Sequence, residues 1–244
     1  MADIKNDFAT DLVAYYELEE SSGVRVDSHG SFDLNDTNTV GQATGKIGNC
    51  ADFEAGNSEG LQTGSDFTEL SGINTISVSL WVKLESNQTG FRLICGVNNG
   101  ASETWAIFRI NNTWYWRIFK DVTGTGQAAE FNQSLIGTGT WRHFVGTYDG
   151  ARLRAYIDGS LVVTGSATSG NVNSGAPAPL SLGHRPDNTD GYYDGLIDEV
   201  GLWERVLTSS EVTDIYNSGV GIPYEAASGG GAAQTARRGA VMMG

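Results

Sequence analysis

The sequence predicts an all-β protein: an antiparallel jelly-roll sandwich with one short helix near its C-terminal end. Three observations carry this. Apolar and polar residues alternate over short runs, polar turn pairs separate those runs, and there are 33 glycines against 4 prolines. The glycines are aperiodic and proline is scarce, which excludes collagen-like and low-complexity chains. One β-sandwich accounts for most of the 244 residues.

Residues 1–10 read as a lead-in, 11–224 as the sandwich, and 225–244 as a Gly/Ala-rich linker and tail. Asp11–Leu18 is the first strand, followed by a Gly/Ser/Asp-rich loop from Ser21 to Ser31. Thr75–Leu84 alternates most clearly. Ile76, Val78, Leu80, Val82 and Leu84 share one face, and Ser77, Ser79, Trp81 and Lys83 the other. Trp105–Ile110 and Trp114–Phe119 form a hairpin around Asn111-Asn112, a pair that tolerates positive φ. Trp141–Tyr148 and Arg152–Ile157 form a second across Asp149-Gly150, and Asp158-Gly159 turns into Leu161–Thr164. Leu180–Gly183 and Gly195–Trp203 complete the strands, and 85–90, 120–134, 165–178 and 184–192 read as loops. Regular alternation in Gly195–Trp203 sends Asp198 and Glu199 to opposite faces. A carboxylate on an otherwise apolar face must be paired, hydrogen-bonded or bound to metal. Thr208 and Glu211 form a capping box, Val212, Ile215 and Tyr216 an apolar stripe, and Gly219 fits the helix end.

A formal charge of −14 argues against nucleic acid and anionic membranes as partners. The first residues contain no secretory signal, and no run approaches a membrane span. Cys50 and Cys95 lie among apolar residues and are expected to be buried free thiols. His29, His143 and His184 are isolated from one another in sequence, and Gly56-Asn-Ser-Glu-Gly has no helix after it, so it reads as a turn. The expectation is a protein without enzymatic activity.

Sugar sites pair an aromatic face with nearby polar groups. In the first hairpin, Trp114 and Trp116 share one face and Tyr115 and Arg117 the other, so one set enters the core and the other meets ligand. Trp114 and Trp116, with Tyr192 and Tyr193 in a loop, are the candidate carbohydrate contacts. After the glycine linker, Arg237, Arg238, Val241, Met242 and Met243 read as a docking tail for a partner in an assembly.

Several segments resemble the concanavalin A-like lectin/glucanase superfamily in its laminin-G-like branch. They are Leu12-Val-Ala-Tyr-Tyr-Glu-Leu-Glu-Glu with Asp27-Ser-His-Gly, and Gly45-Lys-Ile-Gly-Asn-Cys-Ala-Asp-Phe-Glu. Ile76-Ser-Val-Ser-Leu-Trp-Val-Lys, Trp141-Arg-His-Phe-Val-Gly-Thr-Tyr-Asp-Gly, Leu153-Arg-Ala-Tyr-Ile-Asp-Gly and the segment from Gly195 follow in order. The resemblance implies two packed antiparallel sheets and a structural calcium, with Asp27 and Asp198 as candidate ligands. Glucanases of the superfamily carry a Glu-x-Asp-x-x-Glu run that is absent here, so the resemblance implies no hydrolysis. The combined expectation is a display protein of a phage virion, in capsid or tail, that contacts host glycans. The alternative is a secreted carbohydrate-binding or adhesion module.

Overall fold

The structure is a computed structural model that describes residues 2–100, 103–120, 126–175, 177–186 and 191–226. Strands numbered in chain order form two antiparallel sheets. The first runs β13 (Ser160–Thr164), β12 (Leu153–Ile157), β11 (Arg142–Tyr148), β6 (Ile76–Leu84), β15 (Gly195–Trp203), β4 (Asn49–Phe53) and β3 (Gly41–Thr44). β1 (Leu12–Tyr16) also pairs with β15. The second runs β10 (Gly126–Asn132), β9 (Thr113–Phe119), β8 (Glu103–Ile110), β7 (Phe91–Asn98), β14 (Leu180–Leu182), β5 (Gly60–Thr63) and β2 (Leu34–Thr37).

The inner faces close on one apolar core. β6 sends Ile76, Val78, Leu80, Val82 and Leu84 into it, as its alternation predicts, and the second sheet answers with Trp105, Ile107, Trp114, Trp116 and Ile118. A second cluster covers the outer face of the first sheet. There α1 (Ile4–Asp7) supplies Ile4 and α2 (Ser209–Tyr216) supplies Val212 and Ile215, packed with Tyr15, Trp203, Ile222 and Tyr224. On the outer face of the second sheet lies a small cluster, Leu93, Ala106 and Phe108, with Phe91 and Tyr115 packed at its margin. Antiparallel sheets commonly keep one face solvated in this way.

Cys50 and Cys95 are buried free thiols, as expected. The capping box on α2 forms, but Asn217, at φ 48°, takes the left-handed terminal position expected of Gly219. The stretch 120–134, read as loop, contains β10. Its sequence Gly-Gln-Ala-Ala-Glu-Phe-Asn lacks β-branched residues, and seven pairs with β9 override that weak propensity.

The largest departure is in β15. Register shifts between Asp198 and Gly201, and Glu199 adopts φ 50°. Asp198 pairs with Trp81, and Gly201 with Ser79, both outward positions of β6. Ile197, Val200 and Leu202 all enter the core. One extra residue therefore flips the alternation, leaving Asp198 and Glu199 out of the inter-sheet core rather than on opposite faces. The bulge sits where β15 passes its free edge from β4, at Gly195–Ile197, to β1, at Val200–Trp203.

Candidate functional site

The hairpin β8–β9 divides its aromatics cleanly. Trp114 and Trp116 are fully buried, and Trp116 Nε1 donates to Thr147 O at 2.9 Å. They belong to the core and cannot reach a ligand, which corrects the expectation for both. The complementary face is the outward one. Tyr115 pairs across strands with Phe108, and their rings stack at 4.8 Å and 7°. Phe108 in turn meets Phe91 of β7 at 5.2 Å, and the Arg185 guanidinium lies 4.8 Å from the Phe91 ring. A row of side chains thus crosses three strands, with Tyr115 and Phe91 half-buried. Stacking of this kind fixes ring orientation; Phe108 itself is 2% exposed, so Tyr115 and Phe91 are the rings of the row that a ligand can meet.

The loop after β14 continues the row. Tyr192 is half-buried and stacks on His184 at 5.9 Å and 3°. His184 fits only because position 60 is glycine: a Cβ there would lie 2.0 Å from His184 Nδ1. Burial lowers the His184 pKa, so the imidazole stays neutral at physiological pH. Gln88 Nε2 donates to Tyr192 O at 3.1 Å, and Arg109 Nη2 donates to Gln88 O at 2.6 Å, which tethers the loop to the hairpin. Tyr193 is fully buried, with its hydroxyl on Lys83 O at 3.1 Å, and drops out as a contact. Tyr192 is the one of the four candidate aromatics that remains accessible.

Tyr115, Phe91 and His184 were not singled out as ligand contacts from sequence, although the alternation of 113–119 already tied Tyr115 to the face opposite the tryptophans. Nothing in the sequence pairs Phe91 with Phe108, because two register shifts in β7 blur its alternation.

The carboxylates expected to hold calcium have other duties. Asp27 is 5% exposed, and its Oδ1 accepts from Tyr15 N, His29 N and Gly30 N while Oδ2 accepts from Phe32 N. It organises a turn through four amides. Asp198 Oδ2 accepts from Lys46 N at 2.7 Å and Ile47 N at 3.0 Å, a docking that Gly45 permits by having no Cβ. Asp198 Oδ1 is buried without a partner, and Glu199 accepts from Tyr15 Oη at 2.5 Å. Burial, and then their mutual repulsion at Glu199, raises both carboxyls. Calcium calls for six to eight oxygen ligands, and Asp27, whose two oxygens are already taken by four amides, does not fit that role. Among the described residues neither aspartate joins a group of three close His, Cys, Asp or Glu donors; Asp52, Glu54 and Glu85 do, within 4.8 Å. With Asp198 fully buried and Glu199 4% exposed, no polysaccharide can reach the pair.

A depression of about 850 Å³ lies on the other side of the molecule, lined in part by Phe8, Lys46, Ile47, Asn217 and Pro223. Phe8 is its one aromatic and is 7% exposed, so it offers no stacking platform. Arg237, Arg238, Val241, Met242 and Met243 lie outside the described residues.

The comparisons agree with this architecture. Domain 4 of AbnA, a GH43 extracellular arabinanase from Geobacillus stearothermophilus solved in complex with arabinotriose, is 27% identical, with a TM-score of 0.60. The match covers 84% of this chain and 97% of that domain. The binding domain of Paraclostridial Mosquitocidal Protein 1 is 19% identical, with a TM-score of 0.67, over 85% of this chain. The receptor binding domain of botulinum neurotoxin mosaic serotype C/D is 15% identical, with a TM-score of 0.64, over 85%. The chain spans about half the length of these two toxin domains, 52% and 50% respectively, and at such identity they share the fold alone. No curated protein sequence matches, and none of these neighbours supports a virion role. The family model for the laminin G type matches residues 55–213 of the 244, and the chain belongs to the concanavalin A-like lectin/glucanases superfamily.

Proposed function

We propose that the protein is a non-catalytic carbohydrate-binding module that lays a saccharide against the half-buried Tyr115 and Phe91 rings, between which Phe108 is packed, with Tyr192 closing one end. The row carries the reading. Sugar recognition needs a fixed aromatic face bordered by hydrogen-bonding groups, and this sheet presents Tyr115 and Phe91 with His184 and Tyr192 in the adjoining loop. The likeness to an arabinanase domain solved with arabinotriose supports the same class of ligand.

The test is calorimetric titration of arabinotriose into the wild type, Tyr115→Ala and Tyr192→Ala. Removal of one stacking ring is expected to weaken binding about tenfold, from roughly 1.4 kcal/mol of lost contact. Unchanged affinity in both variants would discard the site. A blank across neutral and acidic oligosaccharides would discard the function.

A further inference from the structure

We propose that the saccharide taken by this face carries a carboxylate, an inference that rests on the carbohydrate-binding reading and narrows it. The chain holds 29 acidic residues against 15 lysines and arginines, so an arginine without a carboxylate partner is conspicuous. The described ion pairs are Lys5–Glu225, Arg25–Asp36, Arg142–Asp158, Arg154–Asp149 and Arg205–Glu211. None involves Arg117.

Arg117 stands two residues from Tyr115 on the same outward face and pairs across strands with Ala106 and Ala128. It is half-buried, its Nε has no hydrogen-bond partner, and its guanidinium lies 4.8 Å from the Phe119 ring. Gly126 leaves room for it: a Cβ there would lie 2.1 Å from Arg117 Nε. The guanidinium is therefore positioned by packing rather than by an anion. At the other end Arg185 stacks on Phe91. Arg109, on the inward side of the same hairpin, is fully buried and bonded only to carbonyls, with Nη1 unpartnered. It adds positive potential without a neutralising carboxylate.

A guanidinium presents parallel N–H donors that match a carboxylate in two-point contact. Two residues along β9 from Tyr115, it would bind the acid group of a sugar whose ring lies on Tyr115. The overall charge of −14 does not prevent this, because salt screens charges beyond about 8 Å while a direct contact is screened far less. Glu130, exposed and paired across strands with Tyr115, is an opposing charge on this face. It limits how tightly an acid can bind.

Titration of trigalacturonic acid, 3′-sialyllactose and neutral arabinotriose separates the cases. We expect one of the two acidic sugars to bind about tenfold more tightly than arabinotriose, with the preference shrinking as sodium chloride rises. The acid that binds identifies the source of the carboxylate, uronic or sialic. Arg117→Gln should remove most of the preference, Arg117→Lys should retain part of it, and Glu130→Gln should enlarge it. Melting temperatures of the variants serve as the check on folding. Arabinotriose binding as well as or better than both acids would overturn the inference and leave the carbohydrate-binding reading standing. So would an acid preference that Arg117→Gln leaves intact. Failure of all three sugars to bind would overturn both.

Discussion

Replacing Asp27 distinguishes a turn organiser from a metal ligand. Its carboxylate accepts four backbone amides, from Tyr15, His29, Gly30 and Phe32, in a setting only 5% exposed. Asp27→Ala leaves those donors without acceptors. At about 1 kcal/mol each, the loss is about 4 kcal/mol, or about 8–16 °C in melting temperature for a domain of this size. Asp27→Asn keeps one carbonyl oxygen in the Oδ1 position, where three of the four amides converge, and should lose only about 1–2 kcal/mol. Differential scanning calorimetry of the three proteins, each with EDTA and with millimolar calcium, is the assay. We expect the order wild type, Asn, Ala, with no dependence on calcium in any of them. If the wild type loses stability in EDTA and both variants match that lowered value, Asp27 acts through a metal and the turn argument fails.

Adjacent residues of β9 should behave in opposite ways. Trp116→Ala empties a fully buried site and strands Thr147 O, at a cost of about 3–5 kcal/mol by denaturant melt, whereas Tyr115→Ala should cost less than about 1.5 kcal/mol. Equal losses would place both in the core. Raised pKa values at Asp198 and Glu199 mean that the folded chain keeps protons the unfolded chain releases above about pH 4, so these groups lower stability as pH rises. His143, lowered to about 3 by burial, acts in the acid range and is silent above about pH 7. The free energy of unfolding should therefore fall between pH 7 and 8.5, by up to about 1.4 kcal/mol per pH unit for each retained proton, and the melting temperature with it. Asp198→Asn should flatten that slope, and an unchanged slope would exclude the pair. Gly60→Ala should expel His184, unseat Tyr192 and weaken saccharide binding several-fold in a chain that still melts cooperatively. Binding at the wild-type level would remove the His184–Tyr192 pair from the site.

The sandwich was legible wherever alternation is uninterrupted. β6 reads directly from Ile76 to Leu84, and the turns at Asn111 and Asp158 announce themselves through residues that accept φ near 50°. β10 and the short β2, β3, β4 and β5 were not, because pairing with neighbours rather than local propensity makes them strands, and β7 was not, because two register shifts blur its alternation. The site was half legible. Sequence placed Tyr115 and Arg117 opposite Trp114 and Trp116, but only burial decides which pair points inward. Asp198 and Glu199 show the limit most sharply. Period-2 reasoning separates them, and a single-residue bulge, invisible in composition, takes both out of the inter-sheet core.

The central claim is that saccharide rests on the outer face of the second sheet, and backbone amide chemical shifts during an arabinotriose and trigalacturonic acid titration test it most directly. The account predicts perturbations concentrated in 91–93, 105–109, 113–117, 183–186 and 191–193, with the β3–β4 turn and the 217–223 segment silent. Perturbations confined to those last two segments would contradict it.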